Sequence, residues 1–152
     1  MKSVSRSNCF SALLFAILSL TGVVPAQQRM TDKNVEDMMK NLKEDVKNFR
    51  SSFNTAVGKS TIRKTDQEKA AKQLVERFQK QTEDMHNHFK DKKKADTELP
   101  GVRDGASQID KLLTSTPLGP KVDGEWTKVK TELTTISSAF GLTADTAQPA
   151  PK

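Results

Sequence analysis

Cysteine is almost absent from this chain, and tyrosine is absent altogether. The single cysteine, Cys9, lies in an N-terminal segment that we expect to be removed, so the mature chain would contain none. Without cysteine the mature protein can form no disulfide, thiolate nucleophile, zinc–cysteine site or c-type haem attachment. Its stability must therefore come from an apolar core, which a chain of this length can form.

Residues 1–26 have the three parts of a secretory signal peptide. Lys2 and Arg6 supply positive charge, the run CFSALLFAILSLTGVV is mostly apolar, and small residues precede a cleavage point after Ala26. The run is short and interrupted by polar residues, whereas a membrane anchor needs roughly 18 or more apolar residues. We therefore expect export to a periplasm or the extracellular space, with no integral membrane segment after cleavage.

Strong positive charge is also lacking once the signal is removed. Cleavage takes away Lys2 and Arg6, which lowers the 25 basic residues to 23 against 19 acidic ones. The charges alternate in sign, as in KNLKEDVKNFR, a pattern typical of a solvated helix face. A nucleic-acid-binding protein would carry more charge in tighter clusters. We do not expect nucleic acid to be a partner.

Apolar residues recur at helical spacing, and strand signals are nearly absent. From Val35 onward they follow intervals of four and three residues, which predicts an amphipathic helix. Short connections between such helices imply antiparallel packing. The fold class predicted is all-α: an antiparallel helical bundle of three long helices plus one shorter helix, spanning residues 31–142. The predicted long helices are 33–57, 65–94 and 121–140, the shorter one contains Val102 to Leu113, and 143–152 is a disordered tail.

Local signals predict where these helices begin and end. Thr65 and Glu68 form the capping box that starts the second helix. Gly141 is placed for a left-handed C-cap, with Leu142 providing the hydrophobic contact that follows it. The segment AVGKST shares its last residues with a phosphate-binding loop, but the glycine required five residues earlier is Phe53. We interpret that segment as a helix end followed by a polar turn.

Both histidines of the chain lie in one stretch, MHNHFKDKKK. His86 and His88 are about 200° apart around a helix, so a single helix cannot direct both to one ion. A hairpin turning near residue 61 would place facing residues at numbers summing to about 122. Met38 and Met39 would then lie level with Met85 and close to the histidines. Thioether and imidazole together suit copper(I) or the axial positions of a b-type haem.

This arrangement resembles the b-type four-helix cytochromes, which take a methionine from the first helix. In that family the histidine comes from the last helix, and the fourth helix here has none. The simpler interpretation is that the methionines fill the core and the histidines border it with their polar tips in water. We favour this interpretation, which involves no cofactor, and keep copper or haem binding as the alternative.

The end of the second helix is the candidate partner-binding surface. The third helix is short, so we expect part of the second helix to stay uncovered, with Phe89, Lys92, Lys93 and Lys94 available to an acidic partner. Carboxylates mostly sit beside lysines on polar faces, where nothing prepares them for acid–base catalysis. We therefore expect no catalytic residues. The sequence predicts an exported, non-enzymatic binding or structural protein.

Overall fold

A computed structural model of the chain describes residues 30–142. The predicted signal peptide and the tail 143–152 lie outside the described residues. Within them the chain forms four helices and no strand, so the prediction of an all-α bundle with three long helices and a shorter one is confirmed. The helices are α1 (Asp32–Val57), α2 (Asp66–Lys92), α3 (Leu99–Ser115) and α4 (Pro120–Ala139).

Neighbouring helices run antiparallel. α1 packs against both α2 and α4, and α3 packs against α2 and, less extensively, against α4. The bundle therefore has two distinct ends. We call the end with the connections 58–65 and 116–119 the loop end. We call the other the terminal end; the chain enters the bundle there at Met30, leaves at Leu142 and makes the connection 93–98.

Aromatic rings form the centre of the core. The ring of Trp126 on α4 lies 4.9 Å from that of Phe49 on α1 and 5.5 Å from that of Phe78 on α2, measured between centroids. The buried indole N–H donates a hydrogen bond of 2.8 Å to Asp110 on α3, which satisfies its one polar group. Through these contacts Trp126 joins all four helices.

The predicted capping signals are present at both helices where they were expected. Thr65 accepts a hydrogen bond from the backbone N–H of Glu68, whose carboxylate accepts in turn from the backbone N–H of Lys64. Gly141 has a φ of 73°. The N–H of Leu142 donates to the carbonyl of Ser137, and Leu142 packs against the core, which completes the predicted C-terminal motif.

The end of α1 lies where it was predicted, and the start of α3 does not. The segment AVGKST contains the end of α1 and the turn after it, as predicted. The third helix begins earlier than expected, because Pro100 and Gly101 lie inside its first turn. A proline is tolerated there, since the N–H it lacks would have no partner within the helix.

The register between α1 and α2 differs from the predicted one. Arg50 contacts both Gln79 and Glu76, and Glu36 contacts Lys93, so facing positions have numbers that add up to 126–129 rather than about 122. The first turn of α2 therefore projects past the end of α1. The connection 58–65 folds back over the projecting first turn of α2, and Ile62 is buried there. A hairpin that turned symmetrically about residue 61 could not produce this offset.

Candidate functional site

The methionines do not gather at one level. Met39 and Met85 are fully buried core residues, and Met38 packs against the core at its edge. In the observed register Met85 faces the level of Leu42 and Lys43. It therefore lies about one helical turn from Met39 along the bundle, roughly 5 Å. The expectation that Met38 and Met39 lie level with Met85 is wrong, because it depended on the symmetric hairpin.

The two histidines lie on different sides of α2, as their 200° separation requires. His88 hydrogen-bonds to Glu98 at the start of α3. His86 faces α1, level with Lys43. Within residues 30–142 no three histidine, cysteine or acidic side chains lie close enough to hold a metal ion together. The alternative of copper or haem binding at Met38, Met39, Met85, His86 and His88 stays a prediction, with its residues divided between two faces of α2.

The end of α2 is covered, contrary to expectation. Phe89 is only 2% exposed, and the ring of Phe140 meets it edge-on with centroids 5.9 Å apart. Ala95 and Leu99 are fully buried beside it, because the connection to α3 folds back onto the core. Phe89 is therefore buried and not available to a partner, whereas the other members of the predicted set are exposed: Lys92, Lys93 and Lys94.

Lys93 is the most constrained of these lysines. Its φ of 55° is left-handed and ends α2. Its ammonium group lies 2.9 Å from a carboxylate oxygen of Glu36 and 5.5 Å from the centroid of the Phe89 ring. The ion pair lowers the pKa of Glu36. Lys93 therefore connects α2 to α1 and is not free to contact a partner.

A group of basic side chains surrounds His86, and we call it the basic patch: Lys40, Lys43, His86 and Lys90. Burial lowers the pKa of His86 below its ordinary value, and the nearby lysines lower it further, whereas Glu36 acts in the opposite direction. The Nδ1 atom of the ring is buried and has no hydrogen-bond partner. At neutral pH the patch therefore combines three ammonium groups with a neutral imidazole.

The three lysines of the basic patch form no ion pair with any acidic residue in the part of the chain that the structure describes. Glu36, whose charge acts on the pKa of His86, forms an ion pair with Lys93. Sequence reasoning missed Lys40 and Lys43. The segment KNLK contains both, and the observed register brings it close to His86 on α2.

Comparisons of the chain with models of known protein families, with curated proteins and with solved structures gave no match. None of the helices between residues 30 and 142 is long and apolar enough to cross a membrane. The structure defines the class of molecule, a four-helix bundle with a basic patch on one face. Because helical bundles serve many functions, the fold alone does not define what this protein does.

Proposed function

We propose that this protein is an exported, non-enzymatic binding protein that recognises an acidic surface of a partner protein through the basic patch. The observation that carries the proposal is the convergence of Lys40, Lys43 and Lys90, from two helices, around one half-buried imidazole. These lysines stand on two long helices that pack against each other. Their spacing is therefore fixed before a partner arrives, which reduces the entropy cost of binding.

Charge, rather than an apolar anchor, drives this recognition. Among the described residues, Met30 is the only large apolar side chain that is substantially exposed. Lys92 and Lys94 are exposed at the terminal end, beyond the basic patch. Attraction between exposed charges is screened by salt over about 10 Å at moderate ionic strength. Binding should accordingly weaken as salt is added.

A fluorescent oligoglutamate peptide tests the proposal by fluorescence anisotropy at low salt. We expect it to bind the mature protein, and we expect the double variant Lys43→Glu/Lys90→Glu to bind about tenfold more weakly or worse, because two attractive charges become repulsive. A further variant, Lys92→Glu/Lys94→Glu, measures how far the binding surface extends beyond the patch.

The matched control is Lys69→Glu/Lys111→Glu, which changes the net charge equally at two exposed positions outside the patch. It should retain most of the affinity of the unmodified protein. Equal losses in the patch and control variants would show attraction by net charge alone. Either that result or unchanged binding in the patch variant would contradict the proposal.

A further inference from the structure

A cavity of about 440 Å³ opens at the loop end, between the last turns of α1 and the start of α4. It combines cationic, hydroxyl and apolar groups in one space. Two of its lysines lie at the rim, exposed and without an ion pair among the described residues. The lining includes the ammonium groups of Lys59 and Lys121, the hydroxyl groups of Ser51 and Thr55, and the apolar side chains of Leu118 and Val122.

The first turn of α4 adds backbone donors to this cavity. Gly119 precedes the helix with a φ of 96° and makes no side-chain capping bond. Pro120 has no N–H, so the free donors of this turn are those of Lys121 and Val122, which have no acceptor within the helix. Both residues line the cavity. Such N–H groups and the positive end of the helix dipole attract an anion.

We propose that this cavity binds a small organic anion, a carboxylate or a phosphate ester with a short apolar portion. The charged group lies between Lys59, Lys121 and the first turn of α4, and the apolar portion covers Leu118 and Val122. The cavity volume falls within the range of about 300–1,000 Å³ typical of small-molecule sites. The site is separate from the basic patch, so either proposal can fail without the other.

A neighbouring polar cavity limits which anions fit. This second space, of about 220 Å³, shares Ser51, Ser52 and Lys121 with the first. It also contains Lys128 and the carboxylates of Asp45 and Glu125, and Glu125 accepts a hydrogen bond of 3.0 Å from Ser52. The two carboxylates there repel a second negative group, and Lys128 offsets part of this repulsion. The site therefore selects a ligand with one charged end over an extended polyanion.

Calorimetric titration of the mature protein with hexanoate and with hexyl phosphate tests the proposal. Acetate and inorganic phosphate test the need for the apolar portion, and hexanol tests the need for charge. We expect saturable binding of one molecule of a hexyl anion, about tenfold weaker or worse in Lys59→Gln/Lys121→Gln, because charge-assisted hydrogen bonds are lost. The matched control is Lys69→Gln/Lys111→Gln, which should bind as the unmodified protein does.

Amide chemical shifts measured by NMR during the same titration locate the ligand. The largest changes should occur at Lys121 and Val122. Three outcomes would overturn the proposal: no saturable binding of either hexyl anion, equal weakening in the cavity and control variants, or shift changes concentrated away from the start of α4. Preference for hexanoate or for hexyl phosphate decides which anionic group the site takes.

Discussion

Glu132 on α4 has one carboxylate oxygen that is buried and lacks a hydrogen-bond partner. Burial raises the pKa of this carboxyl group, repulsion by Asp45 on α1 raises it further, and Lys128 opposes both effects. The folded protein therefore binds a proton at Glu132 more readily than the unfolded chain does. Ionising this group at neutral pH opposes folding.

The first prediction concerns the variant Glu132→Gln, which keeps the shape of the side chain and removes its charge. At about pH 7 the variant should melt at a higher temperature than the unmodified protein, because an unfavourable buried charge is gone. The advantage should shrink as the pH falls through the raised folded-state pKa. It should vanish below the ordinary value of 4.5, where Glu132 is protonated in both states. Thermal unfolding followed by circular dichroism at several pH values measures this trend.

Glu44→Gln provides the comparison for that experiment. Glu44 is exposed and pairs with Lys47 one turn away. Exposed pairs of this kind contribute only about 0–1 kcal/mol to stability. The melting temperature of the Glu44→Gln variant should therefore differ little from that of the unmodified protein at any of these pH values. Two results would contradict the explanation that the buried charge of Glu132 opposes folding. One is a melting temperature that rises as much in Glu44→Gln as in Glu132→Gln at neutral pH. The other is no rise in Glu132→Gln.

Where α3 crosses α2, the two helices approach closely at Gly105. A Cβ atom built at this position would lie 3.0 Å from Cδ2 of Phe78 and 2.9 Å from the side-chain oxygen of Gln81. Gln81 can move away, because the contact involves the far end of a flexible side chain. Phe78 cannot move easily, since its ring is fully buried and packs against Trp126. Glycine at position 105 therefore permits the close approach of the two helices.

The second prediction compares Gly105→Ala with Gly124→Ala. Alanine at 105 should lower the free energy of unfolding by about 1 kcal/mol or more, because overpacking a core outweighs the gain in helix propensity. A Cβ atom at Gly124 of α4 meets no atom within 4 Å, so alanine there should add about 0.5–1 kcal/mol. Urea unfolding of both variants measures the two changes, and stabilisation by Gly105→Ala would refute the close-packing explanation.

Local patterns predict the helices of this protein well, and they predict how the helices face one another less well. The bounds of α1, α2 and α4 differ from the predicted ones by at most two residues, because apolar spacing and caps act over a few residues. The register of α1 against α2 depends on how the connection 58–65 folds, which no local pattern specifies. The difference of four to seven in the sum of facing numbers moves Met85 about one turn away from Met39 and brings Lys43 close to His86.

The burial of the end of α2 is a second feature that local sequence patterns could not predict. The short third helix suggested that Phe89 would stay exposed, but the position of α3 matters more than its length. The connection after Lys93 turns back at once and buries Ala95, and Phe140 reaches over from α4. Contacts between elements distant in sequence decided which of the predicted residues could face a partner.

On the scale of the whole molecule, the proposed export is the third prediction. If residues 1–26 are removed, mass spectrometry of the protein from its native source should find a chain that begins at Gln27. A native protein that retains Met1 would contradict export. The same measurement on intact protein under non-denaturing conditions would also report any ligand that remains bound.

An even number of antiparallel helices brings Met30 and Leu142 to the same end of the bundle. α1 has 26 residues, so the cavity at the loop end lies about 40 Å from that point along the axis. If the protein were attached through either terminus to a surface or to a fused domain, the cavity would lie at the end of the bundle farthest from the attachment. Of the two proposed binding regions, only the basic patch would then lie close to the attached surface or domain.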